Sequence, residues 1–297
     1  MTLFQGLSAF PITPADEAGN VDTAAFSSIL EALVDANVDS IGLLGSTGTY
    51  VYLTREQRRR TIATSVDVLD GQVPLMVGVG ALRTNDAVSL ARDAEAAGAD
   101  GLLLAPVSYI PLSQDEVYQH FVTVAAAITL PVCIYNNPTA THFIFGDDLL
   151  SRLAQVENIS AAKMPSLAKA DVRTELVRLR PLMPAAFKIG YSGDRRAADA
   201  VACGGDAWYS GMGGVLPGPI LKLCLAAQAG DTGEVDRMNA VFAPLWDLCT
   251  SLGTVRVVYA IANETGVFDG HPPLPISPLP QNDREAVRNA VNLLSAV

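Results

Sequence analysis

The stretch Val73–Pro106, VPLMVGVGALRTNDAVSLARDAEAAGADGLLLAP, decides how this chain reads. It opens on an apolar run, Val73–Val79, without polar alternation, which suits a strand buried on both faces. Thr84 then stands where a helix N-cap belongs, ahead of a helical stretch Asn85–Ala97. Ala97-Gly98-Ala99-Asp100 ends that helix and turns the chain into a second apolar run, Asp100–Ala105. Strand, helix and strand in this span make one βα crossover of a parallel sheet.

The same texture continues on both sides. Further apolar runs are Leu7–Ile12, Ser40–Leu44, Pro131–Tyr135, Ile159–Lys163, Ala185–Gly190 and Asp206–Ser210. The turn recurs too, as Ala36-Asn37-Val38-Asp39 and as Cys203-Gly204-Gly205-Asp206. Between the runs, Asp22–Asn37 spaces Phe26, Ile29, Leu30, Leu33 and Val34 on one helical face. Thr54 with Gln57, and Ser113 with Glu116, have the form of capping boxes. Gly146, Ala168 and Gly193 stand near three further helix starts. Eight such units predict an α/β fold, a (β/α)8 TIM barrel over residues 1–225. An open doubly wound sheet would need a phosphate fingerprint after its first strand. Gly78-Val79-Gly80 lacks a third glycine, and GSTGTY lacks a P-loop lysine. Residues 226–297 read as a C-terminal helical domain, with helices at Asp231–Ser251, Thr254–Glu264 and Asn282–Ala296 around the Pro-rich HPPLPISPLP.

Charge narrows the partners. The chain has 31 acidic and 20 basic residues among 297, a formal net charge of -11. That balance speaks against nucleic acid, whose phosphates reward clustered Lys and Arg. No apolar run reaches the roughly 18 residues that span a bilayer. The N-terminal MTLFQGLSAFPITPADE has no basic n-region, so no signal peptide or membrane is expected. Cys133, Cys203, Cys224 and Cys249 form no CxxC pair and fit a reducing cytoplasm.

In such barrels chemistry sits at the C-terminal ends of the strands. The basic residues include only four lysines: Lys163, Lys169, Lys188 and Lys222. Lys163 ends an apolar run and would enter the barrel mouth. Burial there lowers an amine pKa from about 10.4 and frees it to condense with a carbonyl. The alternative is a lysine snorkelling to solvent. Lys188 lies deeper or faces the helices, and Lys169 and Lys222 fall in helical stretches. Tyr135 ends another strand, where its hydroxyl could relay protons or its ring could plug the barrel. Gly45-Ser46-Thr47-Gly48 is either an anion seat of backbone N–H groups or an ordinary βα turn. His120, His142 and His271 are scattered, with no HxH or HExxH spacing, so no metal site or other cofactor is expected.

Together these residues resemble the Schiff-base lyase family of dihydrodipicolinate synthase and N-acetylneuraminate lyase, over nearly the whole chain. The resemblance runs from Ala9–Thr13 through Gly45–Gly48, Leu53–Arg58, Val77–Pro106, Pro111–Phe121 and LPVCIYNNP (Leu130–Pro138) to Lys163, Ser192-Gly193-Asp194 and PLPISPLP. The 28-residue interval from Tyr135 to Lys163 makes the set specific. The resemblance implies that Lys163 forms a Schiff base with pyruvate or another 2-keto acid. It implies that Ser46 and Thr47 hold the carboxylate, and that Tyr135 acts as general acid and base, hydrogen-bonded to Ser46. Gly45, Gly48, Tyr109, Ala140, Gly193, Asp194 and Tyr209 complete the substrate-binding set. It also implies a homo-oligomer, tetramer or dimer.

The departures are as informative. Thr49 stands where the family often has Glu, and Met164 where an acidic residue is usual. Ser108 stands where the synthases carry a relay tyrosine, with Tyr109 as a possible substitute. Ala140 replaces their substrate-binding arginine, which removes a bidentate carboxylate clamp. The resemblance thus implies a 2-keto-acid lyase or aldolase with an aldehyde-type, less acidic partner. The alternatives are 4-hydroxy-tetrahydrodipicolinate synthase, a keto-deoxy sugar acid dehydratase, or a catalytically idle keto-acid-binding regulator.

Overall fold

A computed structural model describes residues 3–294. Eight short strands, β1 (Gly6–Ala9), β2 (Ser40–Leu43), β3 (Leu75–Gly78), β4 (Gly101–Leu104), β5 (Val132–Tyr135), β6 (Ile159–Met164), β7 (Lys188–Ser192) and β8 (Ala207–Ser210), close in sequence order into a parallel barrel. β8 returns to β1 through the register Gly6↔Ala207 to Ala9↔Ser210. The connecting helices are α1 (Thr23–Asp35), α2 (Arg55–Leu69), α3 (Thr84–Ala97), α4 (Gln114–Ala125), the single turn α5 (Pro138–Thr141), α6 (Asp147–Ala154), α7 (Lys169–Leu179), α8 (Asp194–Ala202) and α9 (Pro217–Gln228). The (β/α)8 barrel predicted from the apolar runs is therefore the fold.

The recurring turn has a physical reason. Asp39 Oδ2 accepts the Leu7 N–H, Asp100 Oδ2 the Leu75 N–H and Asp206 Oδ2 the Ile189 N–H, each at 2.8 Å. Each aspartate thus ties the base of its own strand to the strand before it. Side chains alternate along the strands. Cys133, Tyr135, Ala161, Ala207 and Tyr209 point into the barrel with Phe10, Met76 and Leu103. Ile134, Ala162, Met164 and Trp208 face outward, into a larger core shared with the helices.

Both capping boxes form, at Thr54/Gln57 and Ser113/Glu116. Thr84 is not a cap. Arg83 occupies that position, Thr84 is the first residue of α3, and its hydroxyl meets His120 Nδ1 at 3.0 Å. The seventh strand also lies later than its apolar run suggested. Phe187 N–H closes a turn onto Pro184 O at 2.9 Å, so pairing begins at Lys188. Lys188 therefore sits at the base of the barrel, 3.6 Å from Asp206 Oδ1, away from the mouth.

Beyond the barrel come α10 (Thr232–Leu252), α11 (Thr254–Glu264) and α12 (Gln281–Leu293). Residue 225 falls inside α9, and α10 packs on both α8 and α9. The expected last helix reaches Ala296, and its final residues lie outside the described ones. Among the described residues no helix is long and apolar enough to cross a membrane.

Candidate active site

Strand register brings the two central residues together. Tyr135 and Lys163 are paired partners on β5 and β6, and the period of two turns both inward. Lys163 is only 4% exposed. Its Nζ lies 3.6 Å from the centroid of the Phe10 ring, 4.4 Å from that of Tyr135 and 5.6 Å from that of Tyr209. Burial lowers the amine's pKa; the Tyr135 hydroxyl, Cys133 and Asp194 oppose that shift more weakly. Aromatic faces attract a cation without solvating it as water does. This setting shifts the balance away from ammonium and toward free amine.

Glycines make room for this aromatic floor. A Cβ at Gly42 would lie 2.1 Å from Phe10 Cζ, and one at Gly190 would lie 2.6 Å from Tyr209 Cε2. The bare backbone at these positions lets the two rings meet edge to face, 6.1 Å apart, under the amine.

Above the floor, Tyr135 hydroxyl oxygen lies 3.2 Å from Ser46 Oγ and accepts from Asn137 Nδ2 at 3.0 Å. With Asn137 donating, the phenol proton is free for Ser46 or for a reacting oxygen. Ser46, Thr47, Tyr135, Asn137 and Lys163 line one cavity of about 470 Å³. The loop carrying Ser46 is tight: Thr49 N–H donates to Ser46 O at 3.1 Å, and Leu44 and Thr49 both have positive φ, 54° and 50°.

Gly193 and Asp194 reach the same cavity from the end of β7. Gly193 is left-handed, φ 88°, and a Cβ there would lie within 2.4 Å of Ser166 Oγ. Asp194 is braced by its neighbours. Its Oδ1 accepts from Ser210 Oγ at 2.6 Å and Trp208 Nε1 at 2.9 Å, and its Oδ2 accepts from the Met212 N–H at 3.1 Å. Burial raises its pKa, and these donors pull the other way. Asp194 is thereby a tie between the β7 and β8 ends. Tyr209 is buried beneath Lys163 and forms the floor.

Four of the residues expected to bind substrate lie elsewhere. Gly45 and Gly48 are buried behind the cavity wall, where they serve close packing on Phe10 and on the Leu44 backbone. Ala140 is an exposed residue of α5, and its neighbour Thr139 faces the cavity instead. Tyr109 is 91% exposed on the loop after β4, outside the cavity of its own chain.

Other walls come from residues not named as site candidates in the sequence, although Phe10, Asn137 and Ser192 lie in the segments that carry the resemblance. Phe10, Asn137, Ser166, Ser192, Arg195 and Arg196 stand around the amine or the rim. Trp246, Cys249 and Thr250 of α10 and Thr254 of α11 close one side, so the helical appendage contributes to the site. Asn137 had a further local signal, since it precedes a proline at the first position of α5, whose Ala140 N–H it caps at 3.3 Å.

A desolvated lysine at the mouth of a closed (β/α)8 barrel is the arrangement of a lysine-dependent aldolase. The chain matches the Dihydrodipicolinate synthetase family over residues 3–294, and it belongs to that family and so to lyases of the class I aldolase type. It is 31% identical over 296 residues to the 4-hydroxy-tetrahydrodipicolinate synthase of Methylococcus capsulatus, covering 97% of this chain and 98% of that protein. It is 32% identical over 280 residues to the protein of that name from Corynebacterium aurimucosum, covering 94% and 90%. Among solved structures, a dihydrodipicolinate synthase from Agrobacterium tumefaciens superposes with TM-score 0.96 at 56% identity, over 98% of each chain. A dihydrodipicolinate synthase from Acinetobacter baumannii, solved in complex with pyruvate, superposes with TM-score 0.88 at 26% identity, over 99% of this chain and 100% of that one.

Proposed function

We propose that the protein joins or cleaves carbon–carbon bonds through a Schiff base between Lys163 and pyruvate or a related 2-keto acid. The observation that carries this reading is the buried Lys163 amine beside the Tyr135–Ser46 hydrogen bond in one cavity. The neutral amine adds to the keto carbon, water leaves, and an iminium forms. Ser46 and Thr47 hold the acid's carboxylate. Loss of a C3 proton gives the enamine, whose C3 attacks the carbonyl carbon of an aldehyde while the aldehyde oxygen takes a proton. Tyr135 serves as the acid and base for these transfers, its oxygen fixed by Asn137. Water then releases the product and restores the amine, and the reverse order cleaves the bond. The iminium is the electron sink, so this sequence calls on no cofactor.

The names of the relatives support 4-hydroxy-tetrahydrodipicolinate synthase as a second reading. Ala140 and Ser108 weigh against it, because the synthase arginine and relay tyrosine are missing there. A keto-acid-binding regulator would keep the Schiff base and lose turnover. Free thiols at all four cysteines fit a cytoplasmic setting. We also infer a homo-oligomer, dimer or tetramer. Leu82, Tyr109 and Ile110 are apolar and 65–91% exposed on the loops after β3 and β4, as a paired surface would require.

The test is exchange of the pyruvate methyl protons in D₂O, followed by proton NMR. The wild type is expected to exchange them, Lys163→Ala to abolish exchange, and Tyr135→Phe to slow it about 10²–10⁴-fold. Exchange that survives Lys163→Ala would overturn the enamine.

A further inference from the structure

We propose that Arg196 selects the second reactant, seating an acid group, carboxylate or phosphate, at the far end of the aldehyde. This rests on the Schiff-base reading above and deepens it to a substrate class.

The cations lining the cavity are Lys163 on its floor and Arg195 and Arg196 on its rim, both in the first turn of α8. Arg195 is committed, since its Nη1 donates to Asp247 Oδ1 of α10 at 2.5 Å. The acids around Arg196 are committed as well. Asp194 is held by Trp208, Ser210 and Met212, and Asp199 pairs with Lys169 at 3.1 Å. Among the described residues the Arg196 side chain has no ion-pair or hydrogen-bond partner. The Arg196 side chain is exposed at that rim, open to a ligand entering from solvent. The cavity wall contains one carboxylate, Asp194, and its oxygens are already engaged.

The strand geometry sets the reach. Lys163 is level with Gly190 on β7, and Ser192 lies two residues nearer the mouth, about 7 Å higher at roughly 3.3 Å per residue. Arg196 follows within one helical turn. An acid bound there is thus several carbons from the carbon bonded to Lys163. Ser166 and Thr139 line the same cavity. A guanidinium presents paired N–H groups that match a carboxylate or phosphate edge. The loss at Ala140 had pointed to a less acidic partner. Arg196 restores an acid clamp from the β7–α8 side, and the partner is acidic.

Product-like keto acids test this without knowledge of the natural aldehyde. Borohydride trapping at Lys163 is measured against concentration for 2-oxoadipate, for the uncharged, equally long 2-oxohexanoate, and for pyruvate as the reference for a folded site. The wild type is expected to half-saturate at a concentration at least tenfold lower with 2-oxoadipate than with 2-oxohexanoate. Arg196→Ala should bring that ratio close to one, and Arg196→Lys should restore part of it. A phosphate-ended keto acid of similar length, run in parallel, shows which acid is preferred. Equal half-saturation in the wild type, a preference that persists in Arg196→Ala, or trapping of pyruvate alone would each overturn the assignment. Failure to trap pyruvate as well would instead overturn the Schiff-base reading beneath it.

Discussion

Lys163 is the residue whose placement costs the fold most directly. Its ammonium has lost water, and aromatic rings replace that hydration only in part. Burial depresses its folded pKa, so the native state binds fewer protons than the unfolded chain between that value and about 10.4. Stability from this residue rises with pH across that window, and the penalty is greatest below it. Lys163→Met keeps the volume and removes the charge. It should raise Tm at pH 7, with the gain shrinking as pH approaches about 10. A gain that grew with pH, read by thermal unfolding, would contradict the desolvated amine. Lys163 was legible in the sequence because it was scarce and ended an apolar run. Tyr135 was legible for the same positional reason. Arg196 was not, because its significance depends on what its neighbours bind, and sequence spacing does not reveal that Arg195 takes Asp247.

At the scale of elements, the strand ends act as a rigid frame and the glycines as clearances in it. Gly190→Ala would place a Cβ 2.6 Å from the Tyr209 ring and 2.8 Å from the Ala207 carbonyl oxygen. The carbonyl belongs to β8 and cannot swing aside. Such overpacking is expected to cost about 1–3 kcal/mol, seen as a lower denaturation midpoint. It should also slow pyruvate trapping by pushing Tyr209 toward Lys163. Unchanged stability and unchanged trapping would show that the floor is looser than described. All eight strands could be read from their apolar runs to within three residues at either end. β7 was displaced because Ala185 and Ala186 belong to a turn closed by Pro184 and Phe187. The aspartate ending each recurring turn marked strand starts reliably, since each ties two strand bases together. The cap expected at Thr84 failed because its hydroxyl found His120 instead.

At the scale of the whole molecule, the barrel and the C-terminal helices build one site. Trp246, Cys249 and Thr250 reach the cavity although no motif in their helix announces it. That contribution depends on how α10 packs against α8 and α9, a long-range property that periodicity does not encode. Leu82, Tyr109 and Ile110 are exposed on the loops after β3 and β4, and the oligomer proposed above would bury them. Sedimentation should therefore give a mass at least twice 31.2 kDa, and Ile110→Asp should lower it toward one chain. A wild type that sediments as a single chain would contradict the oligomer. The proposed chemistry turns on one covalent bond, between Lys163 and the keto carbon, and reduction traps it. The protein is incubated with pyruvate and borohydride, digested, and mapped by mass spectrometry. A single reduced adduct is expected, on Lys163. An adduct on another lysine, or none with any 2-keto acid, would contradict it.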